Sequence, residues 1–298
     1  MAARLTAVED YKDLLDKYDT WLFDCDGVLW NGDNVVDGAV EALDLLRSRK
    51  KRIIFVTNNA SKSRRTYKKT FDKLHVEAQV DEIFGSAYAA AVYLSSVIKL
   101  PRHKKVYVIG MAGLEEELRD EGINFLGGTD PSDNTVAPFS LSSFTLDPDV
   151  AAVLCGLDTS INYTKLCKAF QYLTRNPGCL FLATNEDSTF PIDGGLLPGA
   201  GALSAPLRFS VGRDPLSIGK PASTMLDCIK AKHNFDPKRT IMVGDRLNTD
   251  ILFGKNSSLS TLLVLTGITQ ESEISGPDPS PIIPDYVTQS IGDFRVAL

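Results

Sequence analysis

The residues able to do chemistry in this chain stand in four short groups. Asp24-Cys25-Asp26-Gly27 follows the apolar pair Leu22-Phe23, and Thr57-Asn58-Asn59 follows Ile53 to Val56. Lys220-Pro221 follows Ile218-Gly219, and Gly244-Asp245 follows Ile241 to Val243, with Asp250 five residues further on. Carboxylates at the ends of apolar runs cannot stay unpaired, because burying an uncompensated charge is costly. Together the groups offer acid–base and charge-balancing carboxylates, an ammonium, a hydroxyl and amides. Singly, each has a plain explanation: Asp-x-Asp as a turn or cap, Thr57 to Asn59 as a strand-to-helix turn, Lys220-Pro221 as a solvated helix start. Four recurrences at the ends of apolar runs point instead to one shared edge, since ligands of open parallel sheets bind beyond the carboxyl ends of the strands.

The elements that must hold these residues are legible as buried runs. Trp21 to Phe23 and Ile53 to Val56 read as strands, and Asp37 is placed to cap a helix between them that carries Val40, Leu43 and Leu46 on one face. Strand, helix and strand make a βαβ unit with a parallel sheet covered on both faces. A helix from Ser61 carries Tyr67, Phe71 and Leu74, and another runs from about Ser86 through Tyr93. Further strands are expected at Val106 to Ile109, Val150 to Leu154, Cys179 to Ala183, Thr240 to Val243, Thr261 to Leu265 and near Tyr286. Gly127 to Ser143 reads as a loop and Gly276 to Pro281 as a Pro-rich connector.

Composition narrows the function. The 298 residues are 43% apolar, enough for two domains or one with a large insertion, and the formal net charge of -6 argues against a nucleic-acid partner. Residues 1 to 20 are too rich in acids and bases for a signal or transit peptide, and no apolar run reaches membrane-spanning length. Five cysteines, odd in number and without a Cys-x-x-Cys pair, fit a reduced protein of the cytoplasm, or also of the nucleus. His75, His103 and His233 are scattered and receive no role. The first strand is not followed by Gly-x-Gly-x-x-Gly, which disfavours a dinucleotide-binding domain, and a silent interaction protein would leave the polar groups without a purpose.

Asp24-x-Asp26-Gly27, Thr57, Lys220 and Gly244-Asp245-x-x-x-x-Asp250 resemble, in order and spacing, the four motifs of the haloacid dehalogenase superfamily of phosphohydrolases. The strings Asp19 to Trp30, Phe55 to Asn59, Met242 to Asp250, Thr184-Asn185-x-Asp187-x-x-Phe190-Pro191 and Pro198 to Gly201 are similar to its 4-nitrophenylphosphatase and phosphoglycolate phosphatase branch, and the fungal members look closest. That resemblance covers nearly the whole chain. It implies an α/β fold, a Rossmann-like parallel sheet core (residues 1–99 and 210–298) with an inserted α/β cap domain (100–209), and it often goes with a homodimer through the cap.

The resemblance also assigns roles. Asp24 would be the nucleophile and Asp26 the acid then base; Asp24, Asp245 and the Asp26 backbone carbonyl would ligate Mg2+, with Asp250 behind them. Thr57 and the backbone N–H groups near Asn58 and Asn59 would bind the phosphoryl oxygens, and Lys220 would balance charge and orient Asp24. Dehalogenases lack the second acid and the metal, and transport ATPases follow their nucleophile with Lys-Thr-Gly-Thr, so neither fits. The expected substrate is a small phosphorylated acid such as 2-phosphoglycolate, with pyridoxal 5′-phosphate or a sugar phosphate as alternatives. The loop Gly156 to Tyr163 is the expected specificity loop, although Asn162 could be no more than a helix cap; mammalian pyridoxal phosphate and phosphoglycolate phosphatases have His-Phe-Ser where this chain has Ser160-Ile161-Asn162. Cys25 should turn to the opposite face of its strand as a small core residue.

Overall fold

The side chains of Trp21, Leu22 and Phe23 are all fully buried, yet they lie in different cores. Trp21 and Phe23 pack with Ile53, Phe55, Ile241 and Val243 on one face, while Leu22 packs with Ile54, Val56 and Met242 on the other. A period of two therefore delivers alternate residues to two apolar layers, as a sheet covered on both faces requires. The protein is described by a computed structural model over residues 2–136, 138–192 and 194–298, with only the backbone at 191 and 192.

The larger sheet has seven strands in the order Ala3–Arg4, Tyr286–Thr288, Ser260–Val264, Thr240–Gly244, Thr20–Phe23, Arg52–Thr57 and Ile83–Gly85, every pairing parallel. Phe23 lies opposite both Val243 and Phe55. That register brings Asp24, Thr57 and Asp245, one or two residues further along their chains, to one edge. A second parallel sheet runs Leu216–Ser217, Leu180–Ala183, Val150–Cys155, Lys105–Ile109 and Asn124–Gly127. The helix Ser86–Val92 shares one continuous apolar cluster with residues of both sheets, and its buried run Ala89-Ala90-Ala91 permits close approach of the helices Ala112–Asp120 and Thr224–Lys232. The other face of the second sheet packs Tyr107, Val153 and Phe181 against Ala169, Tyr172 and Leu173 of the helix Tyr163–Arg175. The α/β class with a parallel sheet core is borne out.

Several local expectations are corrected. Asp37 does not cap the helix Ala39–Ser48; Gly38 does, at φ 78°, and Asp37 pairs with Arg295 at 2.7 Å. The helix expected from Ser61 starts at Arg64 with Ser63 as its cap, because Ser61 is drawn onto the Asn59 side chain by its amide and hydroxyl at 2.9 and 2.8 Å. The helix from Ser86 runs on beyond Tyr93 as a wider turn to Val97. The plain reading of Lys220-Pro221 as a solvated helix start, already set aside on the four-group pattern, fails as well: the helix begins at Thr224, and Lys220 is 2% exposed. Cys25 lies past the end of its strand, in a turn where its carbonyl accepts the Leu29 amide at 2.8 Å, although its side chain is buried in the core as expected. The loop Gly127 to Ser143 includes Ala137, which lies outside the described residues; its first residue ends the strand Asn124–Gly127.

Candidate active site

Asp24 is fixed by its backbone, its amide donating to the Val243 carbonyl at 2.9 Å one residue beyond the strand. Its Oδ1 lies 2.9 Å from Lys220 Nζ. That ammonium is fully committed: it also donates to Asp250 Oδ1 at 2.7 Å and to the Val56 carbonyl at 2.8 Å. Asp250, with no exposed surface, uses its second oxygen to accept the Arg246 amide at 3.1 Å. Asp245 Oδ2 accepts the Ile268 amide at 2.7 Å. Space here is scarce. A Cβ at Gly27, whose φ is +82°, would come within 2.4 Å of Asp245 Oδ2, and one at Gly267 within 1.9 Å.

Burial pushes the Asp24 carboxyl well above the usual carboxylate range, against the pull of Lys220. Burial also pushes Asp245 up, to about 7, and the Asp250 charge adds to it. For Lys220, burial alone would favour the neutral amine, but Asp24 and Asp250 hold it charged, above its ordinary value. One ammonium thus faces three carboxylates, and oxygens of Asp24, Asp245 and Asp250 all lie within 4.8 Å of one another. An all-oxygen cluster with surplus negative charge fits a hard divalent cation such as Mg2+.

Asp26 is in different surroundings. It is exposed, outside that cluster, with Oδ1 accepting Trp30 Nε1 at 3.0 Å and Oδ2 accepting the Tyr67 hydroxyl at 3.3 Å. Burial raises the Tyr67 phenol well above its usual value, so it stays a neutral donor. The Cys25 thiol between the two aspartates is likewise held up by burial and by both neighbouring carboxylates, which keeps it protonated.

The neighbouring strand supplies less than expected. Thr57 is buried and its Oγ1 accepts the Asn59 amide at 3.1 Å, so that amide is not free for an anion. The Asn58 side chain ties segments together, donating to Asp187 Oδ2 at 3.1 Å and to the Lys220 carbonyl at 2.9 Å. Asn59 Oδ1 holds Ser61. In the Gly156 to Tyr163 loop, Asp158 accepts from buried Lys165 at 2.7 Å and from the Ser160 amide at 2.8 Å. Asn162 caps the helix, accepting the Lys165 amide at 3.0 Å. With Asp158 and Asn162 engaged in this way, the loop contributes Leu157 to the cavity.

Of these groups, Asp24, Asp26, Thr57, Asn58, Asn59, Lys220 and Asp245 line a cavity of about 370 Å³, while Asp250 lies behind it. Among the described residues, six further polar ones that received no role from the sequence line it: Ser61, Asn185, Asp187, Thr189, Arg246 and Thr249. Asn185 donates to Asp187 Oδ2 at 2.8 Å. Asn185 and Asp187 follow the apolar strand Leu180–Ala183, so the rule that found Asp24 could have found them.

Residues 21–124 match the family described as haloacid dehalogenase-like hydrolase, and residues 217–294 match a second HAD-hydrolase-like family. The chain is 50% identical to the 4-nitrophenylphosphatase of Schizosaccharomyces pombe over 98% of both chains. It is 46% identical to phosphoglycolate phosphatase 2 of Arabidopsis thaliana, over 99% of this chain and 98% of the relative. Among solved structures it is similar to a glycerol phosphate phosphatase from Mycobacterium tuberculosis in complex with magnesium. That match has a TM-score of 0.77 and 29% identity, over 95% of this chain and 77% of the other. The parallel sheet, the carboxylates gathered at its edge and these near-full-length matches agree: the chain belongs to the haloacid dehalogenase-like hydrolase family.

Proposed function

We propose that the chain is a Mg2+-dependent phosphatase of small phosphate monoesters, with 2-phosphoglycolate and related phospho-acids as its first substrate class and 4-nitrophenyl phosphate as a usable probe. The observation that carries this reading is Asp24, held 2.9 Å from a buried lysine beside two more carboxylates at the floor of a cavity. The relatives' names support the reaction type, and the Arabidopsis relative supports the phospho-acid class. Pyridoxal 5′-phosphate and sugar phosphates are the alternatives. Residues 1–99 and 210–298 would form the core and 100–209 the cap that covers the site.

In this mechanism Asp24 attacks phosphorus: a carboxylate O–P bond forms, the ester P–O bond breaks, and the departing alkoxide takes a proton from Asp26. Asp26 then removes a proton from the water that attacks the aspartyl-phosphate, which returns free Asp24 and inorganic phosphate. Lys220 keeps one Asp24 oxygen fixed, so the other is presented to the substrate. Thr57 would hold a phosphoryl oxygen, with the backbone amide of Asn58 beside it. Asp24, Asp245 and the Asp26 carbonyl would hold Mg2+, which neutralises phosphoryl oxygens when bound; Asp250, with both oxygens engaged, supports them from behind.

Assay of 4-nitrophenyl phosphate with EDTA and then with excess Mg2+ tests the reading. Activity should disappear and return; full activity in EDTA would exclude a metal-dependent route. No helix among the described residues is long and apolar enough to cross a membrane, and all five cysteines are free thiols, which suits the proposed cytoplasmic or nuclear location. The proposed homodimer through the cap is supported by Phe209, 91% exposed at the end of residues 100–209, and a sedimentation mass of one chain would remove it.

A further inference from the structure

Among the described residues, two cationic side chains line the cavity, and they are not equivalent. Lys220 is buried and spends its donors on Asp24, Asp250 and the Val56 carbonyl. Arg246 is half-buried, lines the same cavity, and its guanidinium makes no ion pair or hydrogen bond among the described residues. This is unexpected beside Asp24, Asp26, Asp187 and Asp245, which line the cavity with it. Each of those carboxylates is engaged elsewhere: Asp24 by Lys220, Asp26 by Trp30 and Tyr67, Asp187 by Asn58 and Asn185, Asp245 by Ile268. The guanidinium is left to a ligand.

Its position says which part of a ligand. Strand order puts Arg52–Thr57 on one side of Thr20–Phe23 and Thr240–Gly244 on the other, so Thr57 and Arg246 flank Asp24 from opposite sides. Arg246 is fixed at its root, where its amide donates to Asp250 Oδ2 at 3.1 Å, and Thr249 and Ile268 line the cavity on its side. The loop expected to read the leaving group offers only Leu157 there. A second anionic group on the substrate therefore has one unspent cation to meet. A guanidinium suits a carboxylate best, since its planar fork can donate to both oxygens.

We propose that Arg246 is the specificity-determining residue of this site and binds a carboxylate carried by the alcohol half of a phosphate monoester. This rests on the phosphatase reading above. Selection of this kind is a difference between two affinities, so it is measured as a ratio.

The experiment compares kcat/KM for 2-phosphoglycolate and for glycerol phosphate, which has hydroxyls in place of the carboxylate, in the parent, Arg246→Met and Arg246→Lys. The ratio of the two should fall on the order of 10- to 100-fold in Arg246→Met, mostly through KM for 2-phosphoglycolate, and by less in Arg246→Lys, which keeps the charge without the fork. A ratio within about twofold of the parent in both variants, by the same measure, overturns the proposal. So does equal loss on both esters by folded Arg246→Lys, which would put the guanidinium on the phosphoryl group. If Arg246→Met does not fold, the Lys variant decides alone. A parent chain that hydrolyses neither ester would instead sink the phosphatase reading itself, an outcome distinct from the other two.

Discussion

Asp24→Asn is expected to give a folded protein that hydrolyses 4-nitrophenyl phosphate on the order of 10⁴-fold or more slowly than the parent, because an amide cannot form the covalent intermediate. The fold should survive for a reason visible in the ion pairs. Lys220 loses one partner but keeps Asp250 at 2.7 Å and the Val56 carbonyl at 2.8 Å, so no buried charge is orphaned. Burial raises the Asp24 carboxyl well above its ordinary value. A carboxyl so raised weakens the fold wherever the pH lies above its unfolded value, and an amide removes that cost. The urea midpoint of the variant, in EDTA at neutral pH, should equal or exceed the parent's. A near-parent rate would reject Asp24 as nucleophile, and a collapsed midpoint would make the loss structural. Asp26→Asn is the companion arm: leaving-group release in a single turnover should slow, since proton donation typically contributes about 10²- to 10⁴-fold. An unchanged release rate would remove Asp26 from the acid role.

The contrast between those two aspartates was only half legible in the sequence. Leu22-Phe23 and Ile241 to Val243 announced buried strands because alternate residues feed cores on both faces, so nothing polar could intervene until the strands ended. Polar residues just past such runs were therefore readable as an edge. What was not readable was who holds whom. Asn58 and Asp187 are 129 positions apart, and no local pattern foretells their hydrogen bond. Lys220-Pro221 looks locally like a solvated helix start, and only the carboxylates at 24 and 250 make a buried lysine tolerable. The hairpin Trp30–Asn31 with Asn34–Val35, whose Trp30 steadies Asp26, has strands of two residues, too short to show a period. Capping misled for a related reason: Asp37 is a good cap by type, but Arg295 claims its carboxylate and Gly38 takes the left-handed turn.

Lys220→Met should be the most destabilising single change at the site. Methionine nearly matches the lysine's volume and keeps the apolar stem packed, so the variant isolates the charge. Asp250, without exposed surface, then loses its ion pair and keeps only the Arg246 amide, while Asp24 loses its one cation. Removing one partner of a buried pair typically costs about 3–5 kcal/mol, more than replacing both. The unfolding free energy in EDTA should drop by that order, and a loss below about 1 kcal/mol would mean the carboxylates are already neutral in the parent. Asp250→Asn in the Lys220→Met background should recover part of the loss, with a coupling energy of about 1–3 kcal/mol in the double-mutant cycle. Activity should fall with stability but for its own reason. Lys220 is the cation opposing the burial that drives Asp24 toward its protonated form, and a protonated carboxyl is a poor nucleophile. Asp250→Asn would therefore restore the fold of Lys220→Met further than it restores turnover, and equal recovery of both would show that the lysine acts only as a structural tie.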